Sequence, residues 1–66
     1  MKIKVDKEAD ALYFRFNDAA TVESEEVEPG VILDFDAGGQ VVGVEFLGIS
    51  KRATPVDLAS VEFQAA

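Results

Sequence analysis

The chain has 66 residues, with 13 acidic and 6 basic side chains for a formal charge of −7, and it contains neither cysteine nor histidine. Disulfides, thiolate metal sites, histidine ligands and histidine general bases are thereby excluded. The bases Lys2, Lys4, Lys7, Arg15, Lys51 and Arg52 are too scattered to form a phosphate-binding surface, so nucleic acid is not an expected partner.

Residues 1–66 are expected to form one domain, and a domain this small buries only about 60% of its unfolded surface. Small domains make up that deficit with disulfides, a metal or a partner chain. With no cysteine or histidine, oligomerisation is the supplement that remains, and a homodimer is the expected form. The opening Met1-Lys-Ile-Lys-Val-Asp6 alternates charged and apolar residues and lacks the apolar run of a signal peptide. No stretch approaches the ~20 apolar residues of a membrane span. A cytoplasmic protein without membrane association is the expectation.

Residues 2–6 alternate with period two, setting Ile3 and Val5 against Lys2 and Lys4. A polar, turn-like segment, 6–10, leads into 11–17, where Leu12, Phe14 and Phe16 oppose Tyr13, Arg15 and Asn17. These two runs predict a hairpin with a loop of about five residues. In residues 21–28, Val22 and Val27 stand at an odd spacing. Either one of them is exposed, or a bulge lies between them. Glu23, Glu25, Glu26 and Glu28 suit an edge strand kept from pairing with other chains.

Pro29-Gly30 turns the chain into the clearest signal of all. Residues 31–36 are rich in β-branched and aromatic side chains, Ala37-Gly38-Gly39 supplies a reversal, and residues 40–47 return antiparallel. The richer faces collect into one expected core: Ile3, Val5, Leu12, Phe14, Phe16, Leu33, Phe35, Val42, Val44 and Phe46. In the tail, Thr54-Pro55 resembles an N-cap followed by proline at the first helical position. Val56, Leu58, Ala59 and Phe63 would then line a short helix over one sheet face, with Asp57 in its first turn. A strand at 60–64 is the rival reading. The expected fold is α+β and mainly β: an antiparallel β-meander of four to five strands with a short C-terminal helix packed on one face.

The segments Glu8-Ala-Asp-Ala-Leu-Tyr-Phe14, Glu26-Val-Glu-Pro-Gly-Val-Ile-Leu-Asp-Phe-Asp36 and Gly39-Gln-Val-Val-Gly-Val-Glu-Phe-Leu47 resemble the DUF2283 family, and Ser50-Lys51-Arg52 fits it too. The resemblance implies a small prokaryotic protein of unknown function with no agreed catalytic residues to carry over. Some members are similar in setting to small antitoxins encoded beside compact toxin-like proteins.

Chemistry has few footholds. Ser24, Ser50 and Ser60 lack a histidine to activate them, and Gly38-Gly39 joins two strands instead of opening a helix at a phosphate. Asp34, Asp36 and Glu45 share the second face of the predicted central hairpin, which makes them candidate ligands for Mg²⁺ or Ca²⁺ or an acid–base pair. The run Asp34-Phe-Asp36-Ala-Gly38 resembles the start of an EF-hand loop, but it lacks the third Asp or Asn. Glu45 is twelfth from Asp34, yet it stands in a strand-like run. Solvated or salt-bridged carboxylates are the alternative, with Arg15 as the partner of Asp34 or Glu45.

A helix covers only one face of so small a sheet, and Tyr13, Arg15, Ile32, Val41 and Leu47 on the other form the candidate interaction face. No enzyme and no cofactor are expected. The reading is a self-associating, acidic protein–protein interaction domain. Its alternatives are an antitoxin-like partner of a basic toxin-like protein and a carboxylate site at Asp34, Asp36 and Glu45.

Overall fold

The computed structural model describes residues 1–66, and strands account for almost all of its regular structure. They are β1 (Lys2–Asp6), β2 (Ala11–Arg15), β3 (Glu23–Glu28), β4 (Val31–Phe35) and β5 (Val41–Leu47), followed by a 3₁₀ turn at Ile49–Lys51. All pairings are antiparallel, and the spatial order is β1-β2-β5-β4-β3. The hairpin expected of residues 2–6 and 11–17 forms, with its second strand ending at Arg15, and the long 31–47 hairpin is as expected. Gly30 and Gly39 take φ of 81° and 79° in the reversals on either side of β4, a conformation that side-chain-bearing residues resist. The glutamate-rich segment is an edge strand, with a register shift between Glu26 and Glu28 that makes Val27 a bulge residue.

The connectivity is not a simple meander. β5 returns to pair with β2, so the β2–β3 connection must pass the ends of two intervening strands. That is the Greek-key arrangement of three hairpin-linked strands with a fourth laid beside the far one. Three inter-strand steps are roughly 14 Å, and residues 16–22 reach that far without strain, at up to about 25 Å extended. Arg15 holds this connection in place. Its Nε donates to Asn17 O at 2.9 Å, its guanidinium donates to Ala19 O, and it donates to Thr21 Oγ1 at 2.6 Å.

A second irregularity sits between β4 and β5. Asp34 stands opposite Gly43, but Phe35 stands opposite Val41, so Val42 is the extra residue of a bulge. Val42 is only 1% exposed, and its carbonyl accepts the Phe16 N–H at 2.8 Å, the first contact of the crossover. Directly opposed residues share a face. Val41 therefore lies with Phe35 and leaves the face to which strict alternation assigned it.

The C-terminal helix does not form, and neither does the strand at 60–64. Residues 52–66 carry only a turn at 58–59, with Phe63 84% exposed. Asp57 Oδ1 accepts the Ala59 N–H at 2.9 Å, the local side-chain bond that competes with a helical first turn. A stretch this short is marginal as a helix unless tertiary packing adds to it, and Val56 and Val61 lower its propensity further. Removing residues 52–66 is therefore expected to move the melting temperature by no more than about 3 °C. Thermal melting of the truncated chain followed by circular dichroism checks this; a drop of 10 °C or more would mean that the tail packs on the sheet.

Without a helix, the expected core is a face and not an interior. Those of its residues that pair across strands share one side of the sheet, and Phe14 and Phe46 meet edge-to-face at 6.3 Å between centroids. Of that set only Val42 is buried, and Ile3 and Phe16 remain 43% and 45% exposed. The other buried residues are Ala11, Gly43 and Ile49. Ile49, 4% exposed, is fixed by a clamp from the β1–β2 loop. Asp10 O accepts the Ile49 N–H at 3.1 Å, while its carboxylate accepts from Ser50 N at 3.0 Å and Ser50 Oγ at 2.8 Å. Asp10 does this from φ 53°, a left-handed conformation that Asp tolerates better than most residues.

Candidate functional site

The two faces are best described by the rows that cross the strands. On the apolar face one row runs Ile3, Phe14, Val44, Leu33, Glu25, and the next runs Val5, Leu12, Phe46, Val31, Glu28. Each is apolar over β1, β2, β5 and β4 and ends on a glutamate of β3. Phe35 continues the pattern, opposite both Val41 and Glu23. On the polar face the rows are Lys2, Arg15, Gly43, Asp34, Ser24 and Lys4, Tyr13, Glu45, Ile32, Glu26. In these rows the bases thus gather on β1 and β2, and the acids lie one each on β5, β4 and β3.

Within the polar face, Tyr13 lies across Gly43. A Cβ at that glycine would stand 2.6 Å from the Tyr13 hydroxyl, so only glycine leaves the ring this path. The hydroxyl continues to β4 and donates to Asp34 Oδ2 at 2.7 Å, while Ser24 Oγ donates to Asp34 Oδ1 at 2.6 Å. Arg15 donates to the Tyr13 oxygen at 3.3 Å. Hydrogen bonds through one carboxylate and one phenol thus tie β2, β4 and β3 together, across β5 at Gly43.

This network changes the standing of the carboxylate candidates. Both Asp34 oxygens accept from neutral hydroxyls. Asp36 Oδ1 accepts from Gly38 N and Gln40 N, both at 2.9 Å, and so shapes the β4–β5 turn. Glu45 stands opposite Tyr13 and Ile32. The three are not gathered, and no group of three or more acidic side chains lies close enough to hold a metal ion. Arg15 reaches Asp34 only through Tyr13, directing its other donors to the crossover instead of forming the expected ion pair.

Of the candidate interaction face, Tyr13, Arg15, Ile32 and Leu47 share the polar side, and Val41 does not. Tyr13 and Arg15 are engaged within the chain, which leaves Ile32 and Leu47 as the apolar members of that set. The larger uncovered apolar surface is the opposite face, which the sequence reading had placed under a helix. Sequence reasoning also missed the Asp10 clamp and the Tyr13–Asp34 bond. Gly43, a lone glycine in the β-branched run Val41-Val42-Gly43-Val44, was the available signal for the second.

A family model described as protein of unknown function (DUF2283) matches residues 2–50. The chain belongs to the DUF2283 family. No curated protein and no solved structure gives a match. The matched span holds all five strands of the DUF2283 sheet and ends on Ser50, the residue that Asp10 grips. The tail beyond it, which contributes no strand or helix, lies outside the match. No helix of the chain is long and apolar enough to cross a membrane.

Proposed function

We propose that this DUF2283 chain is a non-enzymatic protein–protein association domain, with self-association as its first mode. The observation that carries this reading is the uncovered apolar face: Phe14, Leu33, Val44 and Phe46 are only half-buried, and Ile3 and Phe16 are exposed. A contiguous apolar surface bordered by charge is the mark of an interaction site. Burying it in a complex stabilises the fold by mass action, which a 66-residue chain without disulfides needs. Sedimentation velocity over a hundredfold concentration range tests the proposal. The expected result is a mass above 7.1 kDa together with a melting temperature that rises with protein concentration. A monomer with a concentration-independent melting temperature removes self-association.

A second reading is favoured by one feature, the four glutamates on the exposed β3 edge, Glu23, Glu25, Glu26 and Glu28. They suit a basic protein partner of the antitoxin–toxin kind. Such a complex weakens steeply with salt, so co-purification at low salt that is lost at high salt is its expected signature.

A further inference from the structure

We infer that the apolar face is covered by a second copy of the chain, sheet on sheet, about a two-fold axis running parallel to the strands. This rests on the association reading above and deepens it by naming the stacking and the symmetry of the pair.

The first support is area. A compact monomer of 7.1 kDa has an accessible surface of about 4,100 Å² by the usual mass scaling. This chain has 5105 Å², about 1,000 Å² more, and both its unpacked tail and its open face are exposed to solvent. A stable dimer takes about 800 Å² from each partner. The excess is thus of the size that one interface removes, and two such sheets pack about 10 Å apart with their strands nearly aligned.

The second support is the order of the rows, which selects between the two ways of stacking a sheet on itself. An axis perpendicular to the strands lays each strand over its own copy. Glu25 then meets the partner's Glu25, and Glu23 meets the partner's Glu28, so all the β3 carboxylates of this face lie acid against acid. An axis parallel to the strands reverses the row. Glu25 then stands over the partner's Ile3, Leu33 over the partner's Phe14, and Val44 over its own copy. The acidic β3 edge comes beside the partner's β1, which carries only Ile3 and Val5 on this face and so no opposing acid. Apolar rows meet apolar rows, and no carboxylate faces its own copy. The arrangement is isologous and closes at two copies.

The chain has no cysteine, so single thiols can be placed at will. Two variants, Ile3→Cys and Glu25→Cys, are mixed, allowed to exchange and treated with a short bismaleimide. The expected product is the mixed Ile3→Cys/Glu25→Cys dimer, with little product from Glu25→Cys alone. In a third variant, Val44→Glu, a charge at the centre of the face is expected to reduce the mass to one chain while the circular dichroism spectrum stays that of a β-sheet. Cross-linking of Glu25→Cys with itself overturns the inferred axis. Self-association unaffected by Val44→Glu, with no mixed product, overturns the inferred face and leaves the association reading standing. A wild-type chain that stays at monomer mass at every concentration overturns both.

Discussion

Replacing Ile49 with alanine is expected to lower the unfolding free energy by about 2–4 kcal/mol, the range for truncating a buried branched side chain. The total available to a chain of this length is only about 3–10 kcal/mol. Ile49 is 4% exposed and follows the last strand, where the β1–β2 loop reaches it through Asp10. Its cost therefore includes the anchoring of that loop. Asp10→Ala tests the other half of the clamp. It removes acceptors for Ser50 N and Ser50 Oγ and places alanine at φ 53°, so a loss of about 1–3 kcal/mol is expected. Asp10→Asn, which tolerates that φ and keeps one acceptor, should recover part of it. Urea unfolding midpoints of the three variants, at one fixed concentration, check the set. An Ile49→Ala loss below 1 kcal/mol would mean that the 3₁₀ turn is not anchored as described.

The second large effect is expected at Gly43. A strand glycine changed to alanine ordinarily gains about 0.5–1 kcal/mol from reduced chain entropy. Here the new Cβ would stand 2.6 Å from the Tyr13 hydroxyl and 3.1 Å from Asp34 Oδ2. Gly43→Ala is therefore expected to destabilise by about 1–3 kcal/mol, because the Tyr13 hydroxyl is displaced and a half-buried carboxylate oxygen loses its donor. Tyr13→Phe removes that hydroxyl in advance. In the Tyr13→Phe background Gly43→Ala should cost less than half as much, and the coupling in a double-mutant cycle measures the contact directly. Strict additivity of the two substitutions would show that the ring does not depend on the glycine.

What could be foreseen followed from local rules. Alternation located the strands because one face of each carries nearly all its apolar side chains, and the Pro29-Gly30 and Gly38-Gly39 turns punctuated them. The odd spacing of Val22 and Val27 allowed an exposed valine or a bulge, and the structure has both, with the two valines exposed and a register shift at Val27. The bulge at Val42 had no such sign, since Val41 and Val42 are both apolar and either could face the core. That is why Val41 was assigned to the wrong side. The tail helix failed for a different reason. Its apolar spacing was real, but a short amphipathic segment becomes a helix only when a surface captures it, and Asp57 prefers a local turn.

The carboxylates show the same limit from the chemical side. Asp34, Asp36 and Glu45 were grouped by strand parity alone, which gives a face but not a distance. Their hydrogen bonds separate them, with Asp34 in a cross-strand network and Asp36 in a turn.

By itself the sequence determined the strands, the acidic edge and the family, because each depends on residues that are near neighbours along the chain. Only the tertiary structure decided the strand order, the Asp10 and Tyr13 contacts, and which face is left open. Those depend on pairings between residues far apart in the chain, such as β2 with β5 or Asp10 with Ser50, on which no local periodicity bears. The consequence for function is a reversal. The face that looked like a core is the one without a cover, and the proposed association rests on it.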